Sequence, residues 1–380
     1  MVRESAGRFV RFIMLAVMLV TLGGCVTYPV GSETALPVVR SPLFRYPYFS
    51  DQVTGIAISS QGRMFANFPR WGNDHRYSVA EILEDGSLRP YPDTGWNRWE
   101  EADSAHPEAH FICVQSVYAD DDRLWVLDPA SPSFGGVVAG GAKLVEIDLE
   151  TDRVVRVIRF GPAAAPPRSY LNDVRIDPAV EFAYITDSGL GAILVVNLGT
   201  GTVRRLLEDH SSTKAEPGYV PVIGGKELRD GEGRVPQVHA DGIAIDPDGT
   251  YLYYHALTAR TLYRIRTSVL TDPSLSAAAV AGRVERVADT GAADGMEMDG
   301  DGNLYITAPE ENAVKRWSPE GRIATIVRDA RIQWPDSIAI SDDDYLYVTD
   351  SQINLMPRFN GGKDLRRPPY ELFRIWLEPL

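Results

Sequence analysis

Cysteine is almost missing from this 380-residue chain, which carries only Cys25 and Cys113. Two cysteines cannot supply a disulfide framework, so the folded part has to be held by its own core. Basic residues are also in short supply, 38 Lys and Arg against 52 Asp and Glu, for a net charge of -14. Nucleic-acid binders need clustered cations to displace counterions, so a nucleic-acid partner is not expected. The strongest catalytic signatures are missing as well. There is no nucleophile elbow, no HExxH, no phosphate-cradling glycine loop and no paired CxxC. Long apolar runs are limited to one, Phe12 to Leu22, too short for a spanning helix. Hydrophobic residues make up 44% and charged residues 24%, which is ordinary globular usage and enough for a sizeable core.

The first 25 residues differ from the remainder. Arg3, Arg8 and Arg11 precede the apolar run, the charge and hydropathy pattern of a secretory signal. The run ends in Leu22-Gly23-Gly24-Cys25, which resembles the bacterial lipobox, with Cys25 as the lipidated residue. Val26 follows, with no aspartate beside it, a pattern that favours the outer membrane. The expectation is an exported, lipid-anchored protein in the periplasm, at the outer membrane or at the cell surface. Residues 1–25 are then a lipoprotein signal, 26–45 a tether and 46–380 the folded domain. Membrane association is expected through the N-terminal lipid only. Cys113 lies in the apolar stretch Phe111-Ile-Cys-Val114 and reads as a buried, inert thiol.

Six copies of one pattern follow. Asp241–Tyr254 is a short apolar strand, an Asp/Gly/Pro turn and a second strand rich in aromatics. Asp294–Thr307, Asp336–Thr349 and Thr54–Phe65 repeat it, and looser copies begin at Gln115 and Asn172. Period-2 alternation with Val, Ile, Tyr and Trp marks strands, and Lys143–Asp148, Ile193–Leu198, Leu262–Arg266 and Ala313–Trp317 supply more. The spacing predicts an all-β fold, a six-bladed β-propeller of four-stranded blades around a central channel. A β-sandwich is the alternative, but it would not require one leading position in every hairpin. Tyr370–Leu377 reads as a terminal strand that pairs with the stretch near Leu36–Tyr48 and leaves no long free edge.

In a propeller the same repeat position converges on the axis. The six leading residues are Thr54, Gln115, Asn172, Asp241, Asp294 and Asp336, all polar. Several carboxylates around one dry axis repel, and a hard divalent cation such as calcium would resolve this with Asn172, Asp241, Asp294 and Asp336 as ligands. The same residues equally suit capping of backbone amides at strand starts, and both readings stand open. His239 lies two positions before Asp241 and, on a regular strand, would share its face, which makes His239, Asp241 and Asp294 the proton-transfer candidates. Glu297 stands where other copies carry Ala244 and Ala339, so it needs a cation or donor partner. With Thr54 and Gln115 it is a ligand-binding candidate. Asp187, Ser188, Asp350 and Ser351 read as turn-formers, Gly135–Gly141 and Gly224-Gly225 as inter-strand loops. Trp71, Trp96, Trp99 and Trp125 read as core or blade-packing aromatics, with a place at a ligand mouth as the less favoured alternative for one or two of them.

Together Leu88–Asp93, Val117–Asp128, Lys143–Asp148, Phe182–Ser188, Asp241–Ile245 with Leu252–Tyr254, and Pro369–Ile375 resemble the major royal jelly protein and Yellow family, in the family's order. The resemblance implies a six-bladed propeller, an extracellular setting, and either dopachrome conversion or binding of small amines or sterols in the channel mouth. The family's disulfides have no counterpart here. The ring is also similar to that of the gluconolactonase and regucalcin propellers, where Glu, Asn and Asp hold a divalent metal. Asn172 and Asp241 match by place, while Thr54 stands where that glutamate would be. Three functions therefore compete: an enzyme acting on a small cyclic or aromatic metabolite by tautomerisation or lactone hydrolysis, a small-molecule binding protein, and an interaction propeller. The chain is expected to act as a monomer.

Overall fold

The computed structural model describes residues 43–72, 75–100 and 106–377, with side chains from Tyr48 onward. The signal, Cys25 and most of the tether lie outside the described residues. Six four-stranded antiparallel sheets follow one another along the chain. In blade 4 the strands run Ala240–Ile245, Tyr251–Ala256, Thr261–Arg266 and Glu285–Asp289 from the axis outward. Blade 6 takes three strands from the end of the chain and its outermost one, Leu43–Phe49, from the beginning. That strand pairs with Tyr370–Trp376, as the ring-closure reading anticipated, although it starts at Leu43 within the stretch read as tether.

Side chains alternate along each strand, and here both faces are buried because blades stack on both sides. Leu252 and Tyr254 pack towards blade 3, whereas Tyr253 between them packs towards blade 5. Each of the six blade interfaces holds its own hydrophobic cluster, including the one between blades 6 and 1. This explains why the repeats lack a polar strand face. Cys113 is buried in a separate small cluster with Trp99, Ile112 and Ala130, its thiol pushed up to about 12 mainly by burial.

Near the axis the blades are also stitched by hydrogen bonds. Asn67 Nδ2 donates to the Val114 carbonyl at 3.1 Å, Thr186 Oγ1 to that of Asp241 at 2.5 Å, and Thr349 Oγ1 to that of Thr54 at 2.8 Å. The glycine after a leading Asp is required here. A Cβ on Gly242 would sit 2.0 Å from the Asp294 carbonyl oxygen, and one on Gly295 would sit 2.1 Å from that of Asp336. Turns joining the first two strands of each blade are short, whereas several connections on the opposite face are long. Segments 129–142, 207–239 and 351–369 all belong to that face and build the walls of the site.

Candidate functional site

The long connections enclose a cavity of about 500 Å³ over one end of the channel. Its floor is formed by Gln115, Asn172, Asp241, Asp294 and Asp336. These residues leave the regular ladder: register shifts fall at Asn172-Asp173, Asp241-Gly242 and Asp336-Ser337 in blades 3, 4 and 6. A bulge turns a side chain away from the pleat, and here the leading residues are turned into the cavity.

The floor meets its charge within itself. Asp241 and Asp294 are hydrogen-bonded to each other, Asn172 Nδ2 donates to Asp241 Oδ1, and Trp334 Nε1 donates to Asp294 Oδ2 at 2.6 Å. Burial, reinforced for Asp241 and Asp336 by neighbouring Asp294, raises all three carboxyls above their ordinary range. Two buried acids side by side cannot both ionise cheaply, which favours one proton held between Asp241 and Asp294. Asp336 Oδ2 is buried beneath the floor without a hydrogen-bond partner of its own.

The walls are aromatic. Phe134 stacks on Trp71 at 5.0 Å and on Tyr170 at 5.5 Å between ring centroids. Trp71 Nε1 donates to Tyr170 Oη at 2.7 Å, and Tyr170 Oη donates to Gln115 Oε1 at 2.9 Å, so the wall is tied to the floor. Phe134 rides on a loop in which Ala130, Ser133 and Phe134 all have left-handed backbones, with φ of 52°, 53° and 57°. Such strain is held in place only by the surroundings. Arg168, Met356, Arg358 and Phe359 complete the rim.

One turn of the pattern lower, three residues beyond each leading position, the six positions read Ala57, Tyr118, Arg175, Ala244, Glu297 and Ala339. The large three plug the channel. Arg175 pairs with Glu297 at 3.1 Å and lies over the Tyr118 ring at 5.1 Å. All three line a separate cavity of about 170 Å³ on the far side of the channel.

The sequence profile of the major royal jelly protein family matches residues 112–364, two thirds of the chain. The chain belongs to the major royal jelly protein family. Two honeybee (Apis mellifera) members are similar to it. Major royal jelly protein 5 is 24% identical over 58% of this chain and 36% of its own length, and major royal jelly protein 6 is 25% identical over 49% and 42%. The matched region thus spans well under half of either relative. Among solved structures, a luciferin-regenerating enzyme aligns with a TM-score of 0.54 at 11% identity, covering 88% of this chain and 95% of that one. A gluconolactonase from Xanthomonas campestris aligns with a TM-score of 0.53 at 13% identity, covering 88% and 89%. At these identities the likeness is one of fold.

Within this family member, five of the six leading residues line the cavity, Gln115 among them tied to Tyr170, and that leaves Thr54 outside. Its hydroxyl accepts from Asn67 Nδ2 at 2.8 Å and faces the Gln115 carbonyl at 3.4 Å, between blades. His239 does not line the cavity either. Asp241 is itself the bulged residue, so strand alternation does not carry across from His239. The His239 Nδ1 instead accepts the Ala215 N–H at 2.9 Å, and burial, then Lys214, lower its affinity for a proton. Glu297 has the cation partner its burial demanded, but at the far end of the plug. Trp71 alone of the four tryptophans singled out lines the mouth. Ser188, read as a turn-former, also lines it, while Asp187 accepts the Tyr170 N–H at 2.9 Å and Asp350 that of Gln333 at 2.7 Å.

The oxygen-only ring has the donor chemistry of a hard-cation site, but its arrangement does not fit one. The Asn172 amide presents its N–H to Asp241, Trp334 occupies Asp294 Oδ2, and among the described residues no three His, Cys, Asp or Glu side chains gather as a metal-holding group. Arg175 escaped the sequence reading, although opposite charges at one repeat position, Arg175 and Glu297, are a signal. Asp173, where other copies carry Gly242 and Gly295, is another. Phe134, Tyr170, Trp334, Arg168 and Arg358 come from loops without a repeat and had none.

Proposed function

We propose that this family member holds a small planar organic molecule in the channel mouth and shifts a proton on it, as a tautomerase does. The observation that carries the reading is the hydrogen-bonded Asp241–Asp294 pair at the floor of an aromatic-walled cavity of about 500 Å³. A cavity of this size and lining suits a compact aromatic ligand. One shared proton makes the pair an acid and a base at once. The protonated carboxyl donates at one atom of the ligand while the ionised one accepts from another, so no proton is consumed. Trp334 fixes one oxygen of the pair, and Asn172 fixes the other acid. Positioned acid–base groups of this kind typically contribute about 10²–10⁴-fold in rate. A lactonase-type route would need a further oxygen ligand at Thr54, whose hydroxyl is spent between blades.

We further propose, from the basic start and Leu22–Cys25, that the protein is exported and anchored by lipid at Cys25, working as a monomer. Ketonisation of enol-phenylpyruvate tests the chemistry. The wild type should accelerate it, and Asp241→Asn with Asp294→Asn should remove the acceleration by about 10²-fold or more. Equal rates in wild type and double variant would overturn the acid–base role.

A further inference from the structure

The rim carries two cations that the floor does not explain. Arg168 and Arg358 both line the cavity, and neither has a carboxylate within ion-pair distance among the described residues. Burial lowers the affinity of Arg358 for its proton, opposed first by Tyr170 and then by Asp230, which is itself paired with Arg234 at 2.9 Å. The Arg358 guanidinium is instead laid over two rings, 4.4 Å from the Phe134 centroid and 5.0 Å from that of Phe359. Ring stacking of this kind fixes the plane of the fork and leaves its N–H donors free along the edge. In a chain of net charge -14, the overall field disfavours anions, so uncompensated guanidiniums at a cavity mouth act as a local exception to it.

The cavity is thus polarised along its depth. The Arg358 guanidinium stands over the aromatic wall at Phe134, Arg168 is a second rim residue, and the Asp241–Asp294 pair lies at the floor. We infer that the molecule it accepts is a planar aromatic acid, with an anionic group held outside by Arg358 and Arg168 and an N–H or O–H donor pointing inward at the floor. This rests on the reading of the cavity as a small-molecule site and adds the ligand's charge and direction. A carboxylate matches the fork geometry of guanidinium, and a charge-assisted pair of this kind is worth about 10- to 100-fold in affinity.

Indole-3-acetate and indole-3-acetamide share ring, N–H and size, and differ in the charge of one end. Calorimetric titration of the wild type should give at least about 10-fold tighter binding of the acetate. In Arg168→Gln/Arg358→Gln the preference should vanish, the acetate binding no more tightly than the acetamide in that same variant. Equal affinity of the two probes for the wild type, a preference that survives in the double variant, or tighter binding of tryptamine than of the acetate would each overturn the inference and leave the cavity reading standing. If no indole binds the wild type, both fall.

Discussion

Trp334 and Asp294 meet at the floor of the cavity, with the indole Nε1–H donating to Asp294 Oδ2 at 2.6 Å. This bond favours the ionised carboxyl and opposes the upward push of burial. Trp334→Phe keeps an aromatic ring and deletes the donor. The protein should lose about 1–3 kcal/mol at pH 8, where the acid is charged, and less at pH 5, where it is protonated. Thermal unfolding at the two pH values checks this, and an equal loss at both would mean that the indole acts by packing alone.

Stability should fall as pH rises through neutrality. Burial raises Asp241, Asp294 and Asp336 in the folded state, Asp294 to about 7 from an ordinary 3.8. Between those values folded Asp294 holds a proton that the unfolded chain releases, so its contribution is complete below about pH 4 and lost as pH passes about 7, with Asp241 and Asp336 acting in the same direction. Melting temperature should therefore decline from pH 5.5 to 8.5, and Asp294→Asn should flatten the decline. A melting temperature that rises steadily across that window would refute protonation of the pair.

Gly242→Ala should cost about 2–4 kcal/mol, because its Cβ would meet the Asp294 carbonyl of the next blade at 2.0 Å. Gly300, with nothing within 4 Å of a Cβ, is the comparison and should change stability by no more than about 0.5 kcal/mol when replaced by Ala. Denaturant titration of the two variants is decisive, since a mild Gly242→Ala would mean that the inner strands can part at no great cost.

Arg175→Met leaves Glu297 without its cation inside the channel plug and should destabilise by about 3–5 kcal/mol. Adding Glu297→Met removes the orphaned acid and should restore most of that loss. A double variant as weak as the single one would assign the effect to the lost packing of Arg175 over Tyr118 instead.

The repeat could be read because each blade must solve the same steric problem. Asp-Gly before an alternating strand recurs at Asp241 and Asp294, where a neighbouring carbonyl leaves no room for a Cβ, and both strand faces are apolar because blades stack on both sides. The pairing of the terminal strand Tyr370–Trp376 with the chain's beginning was legible on the same grounds. His239 does not share the face of Asp241 because the register shift between Ala240 and Ile243 breaks the alternation there.

By itself, then, the sequence determined the propeller, its closure and the ring of polar positions near the axis, since a residue's place in its repeat sets its distance from that axis. Which of those positions act together was decided only by the tertiary structure. Bulges turned Asn172, Asp241 and Asp336 into the cavity while Thr54 was spent between blades, and the plug set Glu297 on the far side. Trp71, Phe134, Tyr170, Trp334 and the two rim arginines were gathered from loops that share no repeat. Their convergence depends on the path of each loop over the blades, and a periodic pattern carries no information about such paths.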